Sequence, residues 1–221
     1  MTIQGVIFDM DGLLIDSEPL WRNAEVKVFT GLGSEHTHAE CAETMGMRLD
    51  EAIKYWHKKK NWQTERTLQQ IADLVVDELI AQVRAVGKPR EGASEVAELF
   101  HKHGVRMCVA SSSSSRIMSE VMKKLDFAKH FEFCHSAEHE PAGKPHPAVY
   151  LSAIKKLNLP ASACLAFEDS PNGVRSAKAA GLRCIAVPDD MIPTESVKAA
   201  GADLVLPSLK NFTEEVFKGL E

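Results

Sequence analysis

Short apolar runs alternate with helical patterns through most of the chain after about residue 90. Five runs are bounded by polar or turn residues, which is typical of buried strands. They cover residues 105–110, 131–134, 163–167, 183–187 and 202–206. Helical patterns lie between them at residues 93–103, 116–125, 147–157 and 172–180. Together with a first apolar run at residues 5–9, this alternation predicts an α/β fold with a doubly wound parallel sheet, a Rossmann-like core.

The segment between residues 13 and 88 has a different pattern, with helical periodicity and no convincing strand. Its clearest apolar stripe follows a 3.6-residue repeat and consists of Leu68, Ile71, Val75, Leu79 and Val83. We therefore predict an inserted, all-helical cap domain at residues 15–89. The core would comprise residues 1–14 and 90–221, and the short connections 14–17 and 87–92 would make the cap a hinged lid.

Composition limits the possible classes of protein. The 221 residues are 44% hydrophobic and 26% charged, which is ordinary for a folded globular protein. The net charge of −5 argues against nucleic-acid binding, and no apolar run has the length of a membrane span. No signal peptide is recognisable, and five cysteines without close pairing favour a reduced, cytoplasmic protein. We expect a monomer.

Two carboxylates follow the first apolar run. In Asp9-Met10-Asp11-Gly12, the two aspartates are two residues apart and lie on one side of an extended segment. Because like charges this close repel each other, the pair calls for a counter-charge, and Mg²⁺ prefers such oxygen ligands. The same residues also suit an ordinary turn, so the pair alone does not decide between the two interpretations.

Polar and charged residues also follow other predicted strands. The run 105–110 leads into five serines at 111–115, the run 163–167 leads into Glu168-Asp169-Ser170, and Gly143-Lys144-Pro145 precedes a helix. Ligands of open parallel sheets bind at the carboxyl ends of strands, so these groups are expected to meet. Taken singly, Asp169 or Ser170 could cap a helix, the serines could form a loop, and Lys144 could be a solvated side chain.

These four segments resemble the four motifs of the haloacid dehalogenase-like hydrolases. The longer strings 8–19 and 144–147 resemble the branch with a small helical cap, which contains sugar-phosphate phosphatases and β-phosphoglucomutase. Trp21, after Asp-Ser-Glu-Pro-Leu, is similar to the pattern of 2-deoxyglucose-6-phosphate and hexitol phosphatases. The resemblance spans the whole chain and is least specific in the cap.

The resemblance implies a role for each catalytic candidate. Asp9 would be the nucleophile that forms an aspartyl-phosphate, and Asp11 would act first as acid and then as base. Ser111, with the backbone N–H groups of Ser111 and Ser112, would hold phosphoryl oxygens. Lys144 would supply a positive charge to those oxygens and to Asp9.

The resemblance also implies a Mg²⁺ site. Its ligands would be Asp9, the main-chain carbonyl of Asp11, and Asp169. Glu168 would act directly or through a bound water. The cation would shield the anionic phosphoryl group from the anionic nucleophile.

The leading hypothesis is therefore a Mg²⁺-dependent phosphatase of a small phosphorylated metabolite, a sugar phosphate by preference. Glu18 and Arg48 are candidate substrate-binding residues in the cap, although Arg48 also suits a surface salt bridge. The alternative is a phosphomutase of the β-phosphoglucomutase type. The mutase pattern has a histidine where this chain has Trp21, which weakens that interpretation. A non-catalytic binding protein on the same fold is a third hypothesis.

Two further residue types have simpler interpretations. The spacing of His135, His139 and His146 matches no strong metal template, and we expect these histidines on the surface or in loops. The cap tryptophans, of which Trp56 and Trp62 accompany Trp21, belong either to the core or to the substrate cavity.

Overall fold

The computed structural model of this protein describes residues 2–189 and 191–220. In these two ranges, six strands form one sheet, and nine α-helices surround it or build the cap. Within these residues, no helix combines the length and the apolar character needed to cross a membrane. In chain order, the elements are β1 Gly5–Phe8, α1 Glu18–Gly31, α2 Leu49–Lys60, α3 Leu68–Val86, α4 Ala93–Lys102, β2 Arg106–Ser111, α5 Ser115–Met122, β3 Phe131–Ser136, α6 Ala148–Leu157, β4 Cys164–Glu168, α7 Pro171–Ala179, β5 Arg183–Ala186, α8 Thr194–Ala199, β6 Leu204–Val205 and α9 Glu214–Leu220.

All strands of the sheet are parallel, in the order β3-β2-β1-β4-β5-β6. The chain starts in the middle and extends first to one edge and then to the other. The order therefore reverses between β1 and β4, which is where open α/β sheets bind ligands. The predicted doubly wound fold is confirmed.

Strand β1 is central because its sequence can be buried on both faces. All four residues are buried, and Phe8 lies in register with Val109 of β2 and Phe167 of β4. The rings of Phe8 and Phe167 stack with centroids 5.0 Å apart. Burial of such an apolar strand fixes the position of the residue that follows it, Asp9.

The cap region consists of α1, α2 and α3. Helix α3 begins with a capping box in which the Thr67 hydroxyl accepts from the Gln70 backbone N–H and the Gln70 side chain accepts from Thr67. Four residues of its predicted stripe are buried, and Leu68 packs at the edge of the same cluster. The stripe therefore binds α3 to the rest of the cap.

The two segments that connect this helical region to the sheet lie side by side. The Asp16 N–H donates to the Lys88 carbonyl, and the Arg90 N–H donates to the Leu14 carbonyl, at 3.0 and 2.9 Å. This pairing is consistent with a hinge at the predicted places. The domain boundaries at residues 14 and 90, and the lid motion, stay predictions.

Sequence and structure differ in a few places. Strand β3 runs to Ser136 instead of residue 134, so His135 is a buried strand residue whose ring lies between Glu140 and Lys156. The expectation that His135 is a surface or loop residue is therefore wrong. His139 and His146 are exposed, as predicted. Helices α8 and α9 had no clear sequence signal.

Candidate active site

The carboxyl ends of β1, β2 and β4 meet at one edge of the sheet. Asp9 directly follows β1, Ser111 ends β2, and Glu168 and Asp169 end and follow β4. The Asp9 N–H donates to the Phe167 carbonyl at 2.9 Å, which extends the pairing of the two strands by one step. These side chains are held by the most deeply buried part of the fold.

Lys144 joins two of these acids. Its Nζ lies 2.5 Å from Asp9 Oδ1, 2.6 Å from Glu168 Oε1 and 3.1 Å from the Ala110 carbonyl, and the residue is 2% exposed. Burial opposes the charge of Lys144, but Asp9 and Glu168 outweigh it and raise the pKa of the ammonium. Lys144 is therefore a buried cation, not a solvated loop lysine.

The electrostatics at Asp9 require positive charge. Burial raises the pKa of Asp9 to about 8, with further contributions from Glu168 and Asp11, while Lys144 opposes the rise. A carboxylate that acts as a nucleophile must be ionised, so the predicted role of Asp9 depends on positive charge such as that of Lys144.

Glu168 holds Lys144 in place. Its Oε1 accepts from Lys144 and from the Tyr150 hydroxyl at 2.6 Å, and its Oε2 accepts from the Asp169 N–H at 3.2 Å. Gly173 leaves room for this carboxylate, since a Cβ there would lie 1.9 Å from it. Whether Glu168 also contacts a metal stays a prediction.

Asp169 has the features of a metal ligand. Its Oδ2 is buried and has no hydrogen-bond partner among residues 2–189 and 191–220. Oxygens of Asp9, Glu168 and Asp169 all lie within 4.8 Å of one another. A bare buried carboxylate oxygen is costly, and burial together with Asp9 and Glu168 raises the pKa of Asp169.

A divalent cation would resolve this imbalance. Asp9, Asp11, Glu168 and Asp169 are four carboxylates beside one ammonium, before any phosphate arrives. An all-oxygen set of this kind suits Mg²⁺. The residues present therefore fit the predicted cofactor.

Gly12 allows the chain to turn between the two aspartates and Asp169. Its φ of +71° lies in the left-handed region, and a Cβ there would lie 2.3 Å from Asp169 Oδ2. The glycine thus brings the first strand end close to the fourth.

Asp11 collects hydrogen bonds from both parts of the fold. Its Oδ1 accepts from Ser17 Oγ at 2.7 Å and from Trp21 Nε1 at 2.9 Å. Its Oδ2 accepts from Ser113 Oγ at 2.6 Å and from Ser111 Oγ at 3.3 Å. Trp21 therefore faces the site, whereas Trp56 and Trp62 are core residues of the cap.

The segment after β4 both caps a helix and contributes to the acidic cluster, through two adjacent residues. Ser170 caps α7 by accepting from the Gly173 N–H at 3.1 Å, while Asp169 faces the acidic cluster. The cap of a helix and the proposed metal ligand are thus neighbours in sequence, and one does not exclude the other.

Two predicted substrate-binding residues make cap-to-core contacts. The Ser112 hydroxyl donates to the Gly46 carbonyl at 2.9 Å, and Ser112 still lines the cavity. Arg48 pairs with Asp50 and donates to the Ala137 and Glu140 carbonyls at 3.3 and 3.0 Å. Arg48 is not part of the cavity wall in this arrangement, and its contact with substrate stays a prediction.

A small cavity of about 60 Å³ lies between the sheet edge and the cap. Asp9, Asp11, Ser111, Lys144 and Asp169 line its floor. Helix α1 contributes its cap side with Glu18, Trp21, Arg22 and Glu25. Glu18 is thus part of the cavity wall, where burial, together with Asp11 and Asp189, raises its pKa, and its contact with substrate stays a prediction.

Glu25 gives a testable pH dependence of stability. Burial raises its pKa from 4.5 to about 7, partly offset by a hydrogen bond with the Cys41 thiol. Because the folded pKa is the higher one, this group's stabilisation is complete below about pH 4.5 and is lost as the pH rises through about 7. Gln does not titrate, so Glu25→Gln avoids this loss. As the pH rises from acidic to mildly basic, its unfolding free energy should therefore increase by up to about 3 kcal/mol relative to that of wild type.

Urea unfolding of both proteins at about pH 5 and about pH 8 measures this difference. If the unfolding free energies of the two proteins changed equally with pH, the prediction of a raised Glu25 pKa in the folded protein would be wrong.

Sequence reasoning missed several residues of the site, among them Ser17, Arg22, Glu25, Ser113 and Tyr150. Ser113 lies inside the serine run 111–115, and Ser17 lies inside the string 8–19 that resembles the family. Glu25 lies seven residues after Glu18, a helical spacing that puts both on one face. Tyr150 lay in a pattern that also suits a core aromatic residue.

A buried carboxylate and lysine at the switch point of a doubly wound sheet, beneath helices, define a class of α/β hydrolases. The family model of the haloacid dehalogenase-like hydrolases matches residues 6–187. The chain belongs to this family, and the predicted resemblance is confirmed.

Named relatives agree with this assignment. Hexitol phosphatase B of Escherichia coli is 35% identical over 218 residues, which cover 98% of this chain and 97% of that protein. Phosphorylated carbohydrates phosphatase of Thermotoga maritima is 30% identical, with 83% and 84% of the two chains covered. The crystal structure of CbbY from Rhodobacter sphaeroides with phosphate has a TM-score of 0.85 at 26% identity and covers 95% of this chain and 96% of its own. The prediction of an enzyme of the phosphatase class is confirmed.

Proposed function

We propose that this protein is a Mg²⁺-dependent phosphatase that hydrolyses a small sugar or polyol phosphate through an aspartyl-phosphate. The observation that carries the proposal is the buried contact of Lys144 with Asp9, next to the unpartnered oxygen of Asp169. Relatives named as phosphatases of hexitols and phosphorylated carbohydrates support the substrate class.

In the first step, an Asp9 oxygen attacks phosphorus, and the bond between phosphorus and the substrate oxygen breaks. Protonated Asp11 gives its proton to the leaving alkoxide, so the alcohol departs neutral. Lys144, Ser111 and the backbone N–H groups of Ser111 and Ser112 stabilise the phosphoryl oxygens. The products are a free alcohol, an ionised Asp11 and phosphorylated Asp9.

In the second step, a water molecule gives a proton to Asp11 and its oxygen attacks the phosphorus of phosphorylated Asp9. Inorganic phosphate leaves, Asp9 is restored as a carboxylate, and Asp11 is protonated for the next cycle. Asp9, Asp169 and the Asp11 carbonyl would hold Mg²⁺, which supplies charge neutralisation between nucleophile and phosphate.

The structure offers less support for a phosphomutase. A mutase must bind its substrate in two orientations, so its cap must receive a second phosphate. Here α1 presents Glu18 and Glu25 to the cavity, with Arg22 as the accompanying cation. Trp21 donates its indole N–H to Asp11 where the mutase pattern has histidine.

The hydrogen-bond donors around Asp11 also disfavour a non-catalytic binding protein, which would not need them.

We also propose a monomer in the cytoplasm, since the cysteines are free and four of the five are buried.

The test of the proposed function is phosphate release from p-nitrophenyl phosphate and from sugar phosphates. Excess EDTA should lower turnover by at least about 100-fold, because charge neutralisation at the reacting phosphate is lost, and added Mg²⁺ should restore it. Full activity in chelator would remove the metal from the mechanism. Lack of phosphate release from every substrate, with Mg²⁺ present, would contradict the phosphatase itself.

A further inference from the structure

The cap side of the cavity has a polar row along helix α1. Glu18, Arg22 and Glu25 line the cavity and lie one and two helical turns apart. Glu18 is at the catalytic end, because its Cγ is close to Gly12 and Asp11 acts on its charge. Glu25 lies seven residues further, which is about 10 Å along the helix axis.

Glu25 has the properties of a ligand-binding group. It is 8% exposed and lines the cavity, and it makes no ion pair with any residue that the structure describes. Its carboxylate lies within 4.8 Å of the Cys41 thiol, a weak donor, and of a ring nitrogen of His36. A buried carboxyl with so little compensation gains from a hydroxyl that a bound molecule brings.

Most of the remaining cap wall is apolar, with Thr44 and Cys41 as its polar side chains. Met45, Met47, Leu49 and Ala52 line the cavity from the segment that includes the start of α2. A cavity with a polar row and an apolar wall suits an extended carbon chain that carries hydroxyl groups. It does not suit a fully charged or a fully apolar molecule.

The charges at the end of the cavity near Glu25 disfavour a bound anion. Arg22 lies 3.9 Å from Glu18 and 3.8 Å from Asp189, so acids already surround its charge. Lys144, the other cation of the cavity wall, is held at Asp9. A second phosphate or a carboxylate near Glu25 would therefore meet repulsion.

We propose that Glu25 binds the terminal hydroxyl of an extended polyol or sugar monophosphate and thereby selects six-carbon substrates with an uncharged far end. The two-turn separation between Glu18 and Glu25 matches the reach of such a chain from its phosphate to its last hydroxyl. This inference rests on the proposed phosphatase function and adds a residue that determines specificity.

Three phosphate esters separate length from charge. Sorbitol 6-phosphate has the length and the neutral terminus, 6-phosphogluconate has the same length with a terminal carboxylate, and glycerol 1-phosphate is too short to reach Glu25. Initial rates of phosphate release give kcat and KM for each. The variants are Glu25→Leu, the conservative Glu25→Gln, and the matched surface control Glu35→Leu, whose side chain is exposed in the same cap.

With sorbitol 6-phosphate, Glu25→Leu should raise KM by about 10- to 100-fold with a smaller change in kcat, since a hydrogen bond to a carboxylate is lost. Glu25→Gln should retain most of the affinity. On glycerol 1-phosphate, both variants should lose much less kcat/KM than Glu25→Leu loses on sorbitol 6-phosphate. Wild type should prefer sorbitol 6-phosphate over 6-phosphogluconate by at least about 10-fold, and Glu25→Leu should narrow that preference.

If Glu25→Leu lowered kcat/KM equally for sorbitol 6-phosphate and for glycerol 1-phosphate, Glu25 would have a structural role and the proposal would be overturned. An unchanged KM for sorbitol 6-phosphate, or an equal effect of Glu35→Leu, would also overturn it. In each of these cases wild type still hydrolyses phosphate esters, so the proposed phosphatase stands. If wild type hydrolysed none of the three esters or p-nitrophenyl phosphate, both proposals would fall.

Discussion

Asp9→Asn is expected to lower phosphatase turnover by about 10⁴-fold or more, because an amide cannot form the aspartyl-phosphate. The fold should survive the change, since the new side chain has the same shape and a buried negative charge is removed from an acidic cluster. Single-turnover phosphate release, with melting temperature as the check on folding, measures both effects.

Asp126→Asn is the matched control for this prediction. It makes the same chemical change at an exposed turn residue outside the cavity wall, and its turnover should equal that of wild type. Wild-type turnover by a correctly folded Asp9→Asn protein would disprove Asp9 as the nucleophile.

Lys144→Met should affect both activity and stability. Lys144 contacts Asp9 and Glu168, so its loss leaves two buried carboxylates without their cation. We expect a fall of about 3–5 kcal/mol in unfolding free energy without added Mg²⁺, and a loss in kcat of at least about 100-fold. Urea unfolding and phosphate release measure the two, and Lys155→Met, an exposed change on α6, should leave both unaltered.

A double variant distinguishes charge imbalance from lost packing. Adding Asp9→Asn to Lys144→Met removes one of the two uncompensated charges, so part of the lost stability should return. If the two single changes instead lowered stability additively, the cost of Lys144→Met would lie in packing and not in unpaired charge.

Local patterns were sufficient to predict the sheet and the longest helix. Strand β1 is uniformly apolar, and α3 has both a capping box and a stripe. Strand ends in a parallel sheet converge whatever their separation in sequence, so Asp9, Ser111 and Asp169 were predicted to meet and do so. That they act as nucleophile, phosphate ligand and metal ligand stays a prediction.

Contacts that depend on side-chain direction were not readable. Arg48 has a charged side chain that could bind an anionic ligand, but its guanidinium donates to carbonyls of the core instead of facing the cavity. His135 was misplaced because polar residues at a strand end look like a loop, and its burial depends on Glu140 and Lys156. Tyr150 could not be distinguished from a core aromatic residue, because its role rests on one hydrogen bond to Glu168.

The hydrogen bond from Trp21 to Asp11 has a practical consequence. Trp56 and Trp62 are buried in the cap and would travel with it as a body, so a hinge motion would leave their surroundings intact. Trp21 would exchange a carboxylate partner of the core for water, and the emission of an indole responds to such a change. If the cap moves as predicted, Trp21 would be an intrinsic fluorescence reporter of cap position, hydrogen-bonded to the residue proposed to transfer the proton.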